Sequence, residues 1–127
     1  MSLKGVAIFS MIIFFITGCT VGQDNPIIVR NNFDEIDLSN YQTCKGVFLV
    51  EDTYDIGISV FVAGDVANGE IAVGDTTELN GQKITVKGIE GNKKKWDKVT
   101  KPYRVGLDFG RQIADGEYVK GNLICFN

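Results

Sequence analysis

Glu51, Asp52 and Asp55 stand close together in the chain and are the side chains best placed to trade protons. To work as an acid and base pair, one carboxyl has to stay protonated while another ionises, as in glycoside-cleaving sites. The rest of the usual machinery is missing. There is no histidine, and with it goes the commonest general base. Ser39 and Ser59 sit in neither a Gly-x-Ser-x-Gly nor a Ser-x-x-Lys setting, so neither is placed as a nucleophile. Asp34, Glu35 and Asp37 gather negative charge but lack the central glycine of a calcium loop, and read as a solvated acidic patch. Isolated cysteines without histidine cannot close a tetrahedral zinc shell. The expectation is a protein that is not an enzyme and carries no cofactor or metal.

Binding chemistry is better represented. The insertion Lys93, Lys94, Lys95, Trp96, Asp97, Lys98 continues through Lys101, Tyr103 and Arg104, and positions 93–104 hold six cationic side chains against one carboxylate. Lysines beside a tryptophan can grip an acidic protein, or lie on anionic headgroups with the indole at the interface. They can equally form a solvated hairpin loop whose tryptophan folds back over the core. Lys93, Lys94, Lys95, Trp96, Lys98, Lys101, Tyr103 and Arg104 are the candidate partner-binding residues.

The elements that must position these groups begin with an N-terminal segment of different character. Lys4 precedes an apolar run over residues 6–16 that ends Ile16-Thr17-Gly18-Cys19. A charged start, a short apolar core and small residues before a cut site describe a secretory signal peptide. The run is shorter than the roughly 18 apolar residues a spanning helix needs. Its ending resembles the lipobox of bacterial lipoproteins. That resemblance implies cutting after Gly18, acylation of Cys19 and a stable membrane anchor, because two or more acyl chains hold where one does not. It places the product in the cell envelope. Thr20 rather than aspartate after the cut points, by the enterobacterial rule, to the outer membrane facing the periplasm.

Removing residues 1–18 leaves one small domain's worth of chain. It carries 12 basic and 16 acidic side chains, a net charge of −4, which argues against a general nucleic-acid binder. Positions 93–104 contribute +5 of that balance, so the remainder holds −9. If the lipid takes Cys19, Cys44 and Cys125 remain as an even pair in an exported chain. A disulfide between them would be worth roughly 4 to 5 kcal/mol in the chain-entropy model. Two buried free thiols are the alternative.

Residues 19–43 are polar and aperiodic and read as a lipidated flexible tether, with 27–29 able to form a short edge strand. From 44 to 127 short apolar runs alternate with glycines, the pattern of an antiparallel sandwich or barrel. Strands are expected over 46–51, 58–66, 70–73, 76–79, 83–90, 103–109 and 122–126. Ile56, Ile58, Val60 and Val62 share one face, as do Val105, Leu107 and Phe109. Asn80-Gly81 marks a tight hairpin because both residues tolerate positive φ.

The run Phe48-Leu-Val-Glu51-Asp52-Thr-Tyr54, followed by Val60-Phe-Val-Ala-Gly64-Asp-Val66-Ala-Asn-Gly69-Glu-Ile71-Ala-Val73-Gly74-Asp75, resembles the second domain of elongation factor Tu and related translational GTPases. Thr85-Val-Lys-Gly88-Ile89-Glu90, Val105-Gly106-Leu107 and the stretch from Asp115 to Ile124 follow in that family's order, so the likeness covers residues 47–126. It implies a small closed antiparallel β-barrel, with Val66, Ile71 and Val73 filling its interior. In that family the Glu-Asp pair only ends a strand. The phosphate-cradling Gly-x-x-x-x-Gly-Lys-[Ser/Thr] is absent, and the Pro-Gly-Arg-Gly turn is replaced by Asp55-Ile56-Gly57, so GTP hydrolysis and tRNA delivery are not implied.

The functional expectation is a membrane-anchored, non-catalytic lipoprotein that binds an envelope protein, as an immunity or superinfection-exclusion inhibitor does. A structural or assembly adaptor of an envelope complex is the alternative. Neither GTP nor nucleic acid is an expected partner.

Overall fold

The structure is a computed structural model that describes residues 25–127. The expected signal peptide, Cys19 and the first residues of the tether lie outside that span. Apart from a short 3-10 turn at Ser39–Tyr41, the regular structure of the described residues is all strand. In chain order these are β1 (Gly46–Asp55), β2 (Val60–Ala72), β3 (Thr76–Leu79), β4 (Gln82–Thr85), β5 (Gly88–Gly91), β6 (Lys94–Trp96), β7 (Lys98–Thr100), β8 (Arg104–Asp108) and β9 (Leu123–Phe126).

Every pairing is antiparallel, and the main sheet runs β6-β5-β8-β2-β1-β9 with β7 also on β2. β3 and β4 form a separate hairpin around Asn80-Gly81, whose φ values of 53° and 81° are those the expected tight turn requires. The expected closed barrel is not found. The path of paired strands ends at β6 and at β9, and the hairpin covers the open side. One reciprocal backbone pair joins it to the C-terminus, Asn127 N–H to Thr76 O at 2.9 Å and Thr76 N–H to Asn127 O at 3.4 Å. Beyond that pair β3 and β9 part around an open cleft of about 640 Å³ lined by Thr77, Glu78, Leu123, Ile124 and Tyr118. Tyr118 lines this cleft and packs its ring on Phe109, the centroids 6.3 Å apart. Burial pushes its hydroxyl up to about 12, with nearby Glu117 adding to the shift.

The strand Val47-Phe-Leu-Val50 is apolar at successive positions because both of its faces are covered. Phe48 and Val50 point into the main core with Val60, Val62, Val66, Ile71, Val105, Leu107 and Phe109. Val47 and Leu49 point the other way, onto Phe33, Ala67, Leu38 and Tyr41. The stretch expected as a tether therefore packs on the domain from Phe33 onward, and Phe33 is only 7% exposed. Its apolar residues are too irregularly spaced to announce an element. Phe33, Ile36, Leu38 and Tyr41 nevertheless find the outer face of β1, where turns such as Tyr41 N–H to Leu38 O, at 2.9 Å, hold the chain. Cys44 and Cys125 are joined as a disulfide with Cα atoms 5.4 Å apart.

Two expectations about β2 change. The separate strands at 58–66 and 70–73 are one strand of 13 residues, bent by register shifts against β1 at Val47/Phe48 and Val50/Asp52. Gly64 lies inside it. A β-carbon there would strike the Leu49 carbonyl oxygen and stand 2.9 Å from the Phe48 ring, so close approach of β1 requires glycine. Val73, expected inside, is 44% exposed, while Val66 and Ile71 are fully buried. The strand expected over 83–90 divides at Val86 and Lys87, where the chain leaves β4 to join β8 as β5.

Candidate functional site

The long polar insertion is folded. β5 and β6 make a hairpin whose turn residues, Asn92 and Lys93, have φ values of 50° and 63°. β7 follows after Asp97 and pairs with the end of β2. Trp96 lies opposite Ile89, packs against the main core and donates from Nε1 to the Gly91 carbonyl at 2.8 Å. Its indole is thus fixed inward, which satisfies a polar atom that burial would otherwise orphan.

The eight candidate binding residues separate accordingly. Lys93, Lys94, Lys95 and Lys98 are exposed along this edge. Lys93, Lys95 and Lys98 have no ion pair among the described residues. The Lys101 ammonium lies 5.3 Å from the centroid of the Phe33 ring. Tyr103 is half-buried against the core. Arg104 grips Asp65 with two hydrogen bonds of 2.8 Å, Nε to Oδ1 and Nη2 to Oδ2, and lies 3.8 Å from Glu51. Asp65 is completely buried, and its carboxylate raises the Arg104 pKa against the opposing effect of burial. No sequence signal singled out Asp65 except a charge in the middle of an apolar strand.

The described chain begins at this same edge. Asn92 Nδ2 donates to the Asn25 carbonyl at 2.8 Å, and Arg104 N–H donates to the Ile27 carbonyl at 2.7 Å. Ile27 forms a bridge with Arg104, and Ile27, Ile28 and Val29 are about half exposed.

The opposite end of the sheet carries a different surface. β8 stops at Asp108, and Val60 makes the last backbone bonds across to Phe109 and Gly110. Past that point the β1–β2 hairpin projects without a flanking strand. Ile56 and Ile58, expected on one face with buried Val60 and Val62, instead lie in the turn that Ile56 N–H closes onto the Ser59 carbonyl at 2.9 Å; they are 57% and 80% exposed, and Tyr54 is 52% exposed. Apolar side chains thus continue into the turn, beyond the core that would cover them.

The three carboxylates are occupied. Glu51 lies 3.7 Å from Lys120 as well as near Arg104. Asp52 accepts from Thr53 N–H at 2.8 Å, and its carboxylate raises the pKa of the Tyr54 hydroxyl. Asp55 accepts from Gly57 N–H and from Arg111, both at 2.9 Å, and these two bonds hold its pKa below the usual value. Ser59 is buried. Among the described residues, no three metal-ligating side chains come together.

No family model matches the sequence, and neither does any curated protein. Among solved structures, the crystal structure of bacterial selenocysteine-specific elongation factor EF-Sec is similar, with a TM-score of 0.57 at 18% identity. The likeness covers 72% of this chain and 16% of that one. This all-β domain therefore has a fold like that of a translation-factor domain, and spans only a small part of such a factor's length.

Proposed function

We propose that the protein is a membrane-anchored, non-catalytic lipoprotein, cut after Gly18, acylated on Cys19 and held at the outer membrane facing the periplasm. On this reading the domain is a translation-factor domain 2-like barrel left partly open, with the β3–β4 hairpin lying over its open side. It binds an envelope protein in the manner of an immunity or superinfection-exclusion inhibitor. The observation that carries the binding reading is the projecting β1–β2 tip, where Tyr54, Ile56 and Ile58 leave apolar surface uncovered. Contiguous exposed apolar surface on a small protein marks a contact site more often than a structural need. The ion pairs and hydrogen bonds that hold Glu51, Asp52 and Asp55 support a non-catalytic reading.

Affinity recovery from detergent-solubilised envelopes tests this. Ile58→Lys should lower recovery of the native partner at least tenfold. Its melting temperature should stay within about 2 °C of the parent, because substitutions on exposed surface cost little. Undiminished recovery contradicts the assignment of the tip. A partner recovered as a stable multi-subunit assembly, with the protein in fixed stoichiometry, favours the adaptor role over inhibition.

A further inference from the structure

We infer that the basic edge, Lys93, Lys95 and Lys98 together with the strip Ile27–Val29, is a membrane-facing surface that rests on anionic phospholipid headgroups. This inference rests on the acylation of Cys19 proposed above, and it fixes which way the anchored domain points.

The first support is where the chain leaves the domain. Asn25 is hydrogen-bonded to Asn92 at the β5–β6 turn. The six residue steps from Cys19 to Asn25 span at most about 22 Å when fully extended. Acyl chains on Cys19 therefore keep this edge within that distance of the bilayer. The β1–β2 tip is farther away: β8 pairs with β2 from Arg104 opposite Asp65 to Asp108 opposite Phe61, and the tip lies beyond. At roughly 3.3 Å per residue, this puts Ile58 about 20 Å farther along the sheet.

The second support is charge. The insertion and its flank hold +5 and the rest of the mature chain −9. An anionic surface attracts the first and repels the second, and screening confines both effects to about 8–10 Å. The bilayer thus meets the lysines while the acidic remainder stays off it. The third support is the approach strip, where Ile27, Ile28 and Val29 are 54%, 46% and 53% exposed on the segment nearest the anchor. Apolar side chains flanked by lysines suit the headgroup boundary. Trp96 takes no part, because its indole is turned into the core.

The test is lysine labelling of the full mature lipoprotein in vesicles. One set is phosphatidylcholine alone, and the other contains about one-third phosphatidylglycerol. A soluble amine-reactive reagent is applied, and modification is read at each lysine by mass spectrometry. Lys93, Lys95 and Lys98 should react at least threefold more slowly on the anionic vesicles, and high salt should restore their rates. Lys83, exposed on the separate β3–β4 hairpin, and Lys87, exposed beside Asp108 at the other end of β8, should react equally on both. Flotation with both vesicle types and equal labelling of the three lysines overturns the inference while leaving the anchor intact. Protection that appears only on adding envelope proteins overturns it in favour of an acidic protein partner. Failure to float with phosphatidylcholine vesicles overturns the anchor, and the inference with it.

Discussion

Replacing Cys44 and Cys125 with serine is expected to lower the stability of the domain by about 4 to 5 kcal/mol, enough to leave it marginal at physiological temperature. The size follows from the chain the bridge spans. The two cysteines are 81 residues apart, so the bond closes a loop covering most of the described domain and removes much of the freedom of the unfolded state. For a domain of this size the loss corresponds to a fall in melting temperature of roughly 20 °C or more. Calorimetry of the double variant checks this, as does calorimetry of the native protein with a thiol reductant. A shift under about 5 °C would show that the two packed clusters already confine the chain without the bond. The bridge fastens the N-terminal segment, through Cys44, to β9, so reduction should also loosen the packing around Phe33.

The second large effect is expected at Arg104. Its guanidinium supplies both bonds to the buried Asp65 carboxylate, and Arg104→Met leaves that carboxylate inside β2 without a partner. Breaking a buried pair from one side costs about 3 to 5 kcal/mol, far more than an exposed pair is worth. Arg104 is partly exposed, which places the expected loss near the lower end of that range. Adding Asp65→Leu should recover most of the loss, because the uncompensated charge is then gone. Denaturant unfolding of the two single variants and the double variant closes the cycle. An Arg104→Met loss below about 1 kcal/mol would contradict the structural role and return Arg104 to the candidate binding surface.

Much of the sheet was legible from alternation and turn chemistry. Val105, Leu107 and Phe109 are buried on one face as their spacing required, and Asn80-Gly81 turns the chain where both residues take positive φ. The glycines were harder to read, because one residue type serves unlike needs. Gly69 and Gly74 adopt positive φ, whereas Gly64 only makes room for β1, and the sequence does not distinguish these uses. The β5–β6 hairpin was legible only as an alternative, because Lys93 rather than glycine follows Asn92 at the turn and takes a left-handed conformation that side chains resist. The tip was misjudged for another reason. Alternation put Ile56 and Ile58 on the face of Val60, but the paired strands end at Asp55 and Val60, so both fall in the turn, and β8 stops at Asp108 short of them. Partners distant in sequence were out of reach as well: Asp65 and Arg104 are 39 positions apart, and nothing local to either names the other.

The fold and the two ends of the molecule acquire a joint meaning only if Cys19 is the anchor. A basic edge beside the start of the domain then faces the bilayer, and an apolar tip faces the periplasmic space. Intact-mass and N-terminal peptide analysis of the protein purified from the membrane fraction of a bacterial host measures this directly. The account predicts a mature chain beginning at Cys19, with a diacylglyceryl thioether on its sulfur and an acylated amino group. A chain that keeps residues 1–18, or one whose Cys19 carries no lipid, would contradict it.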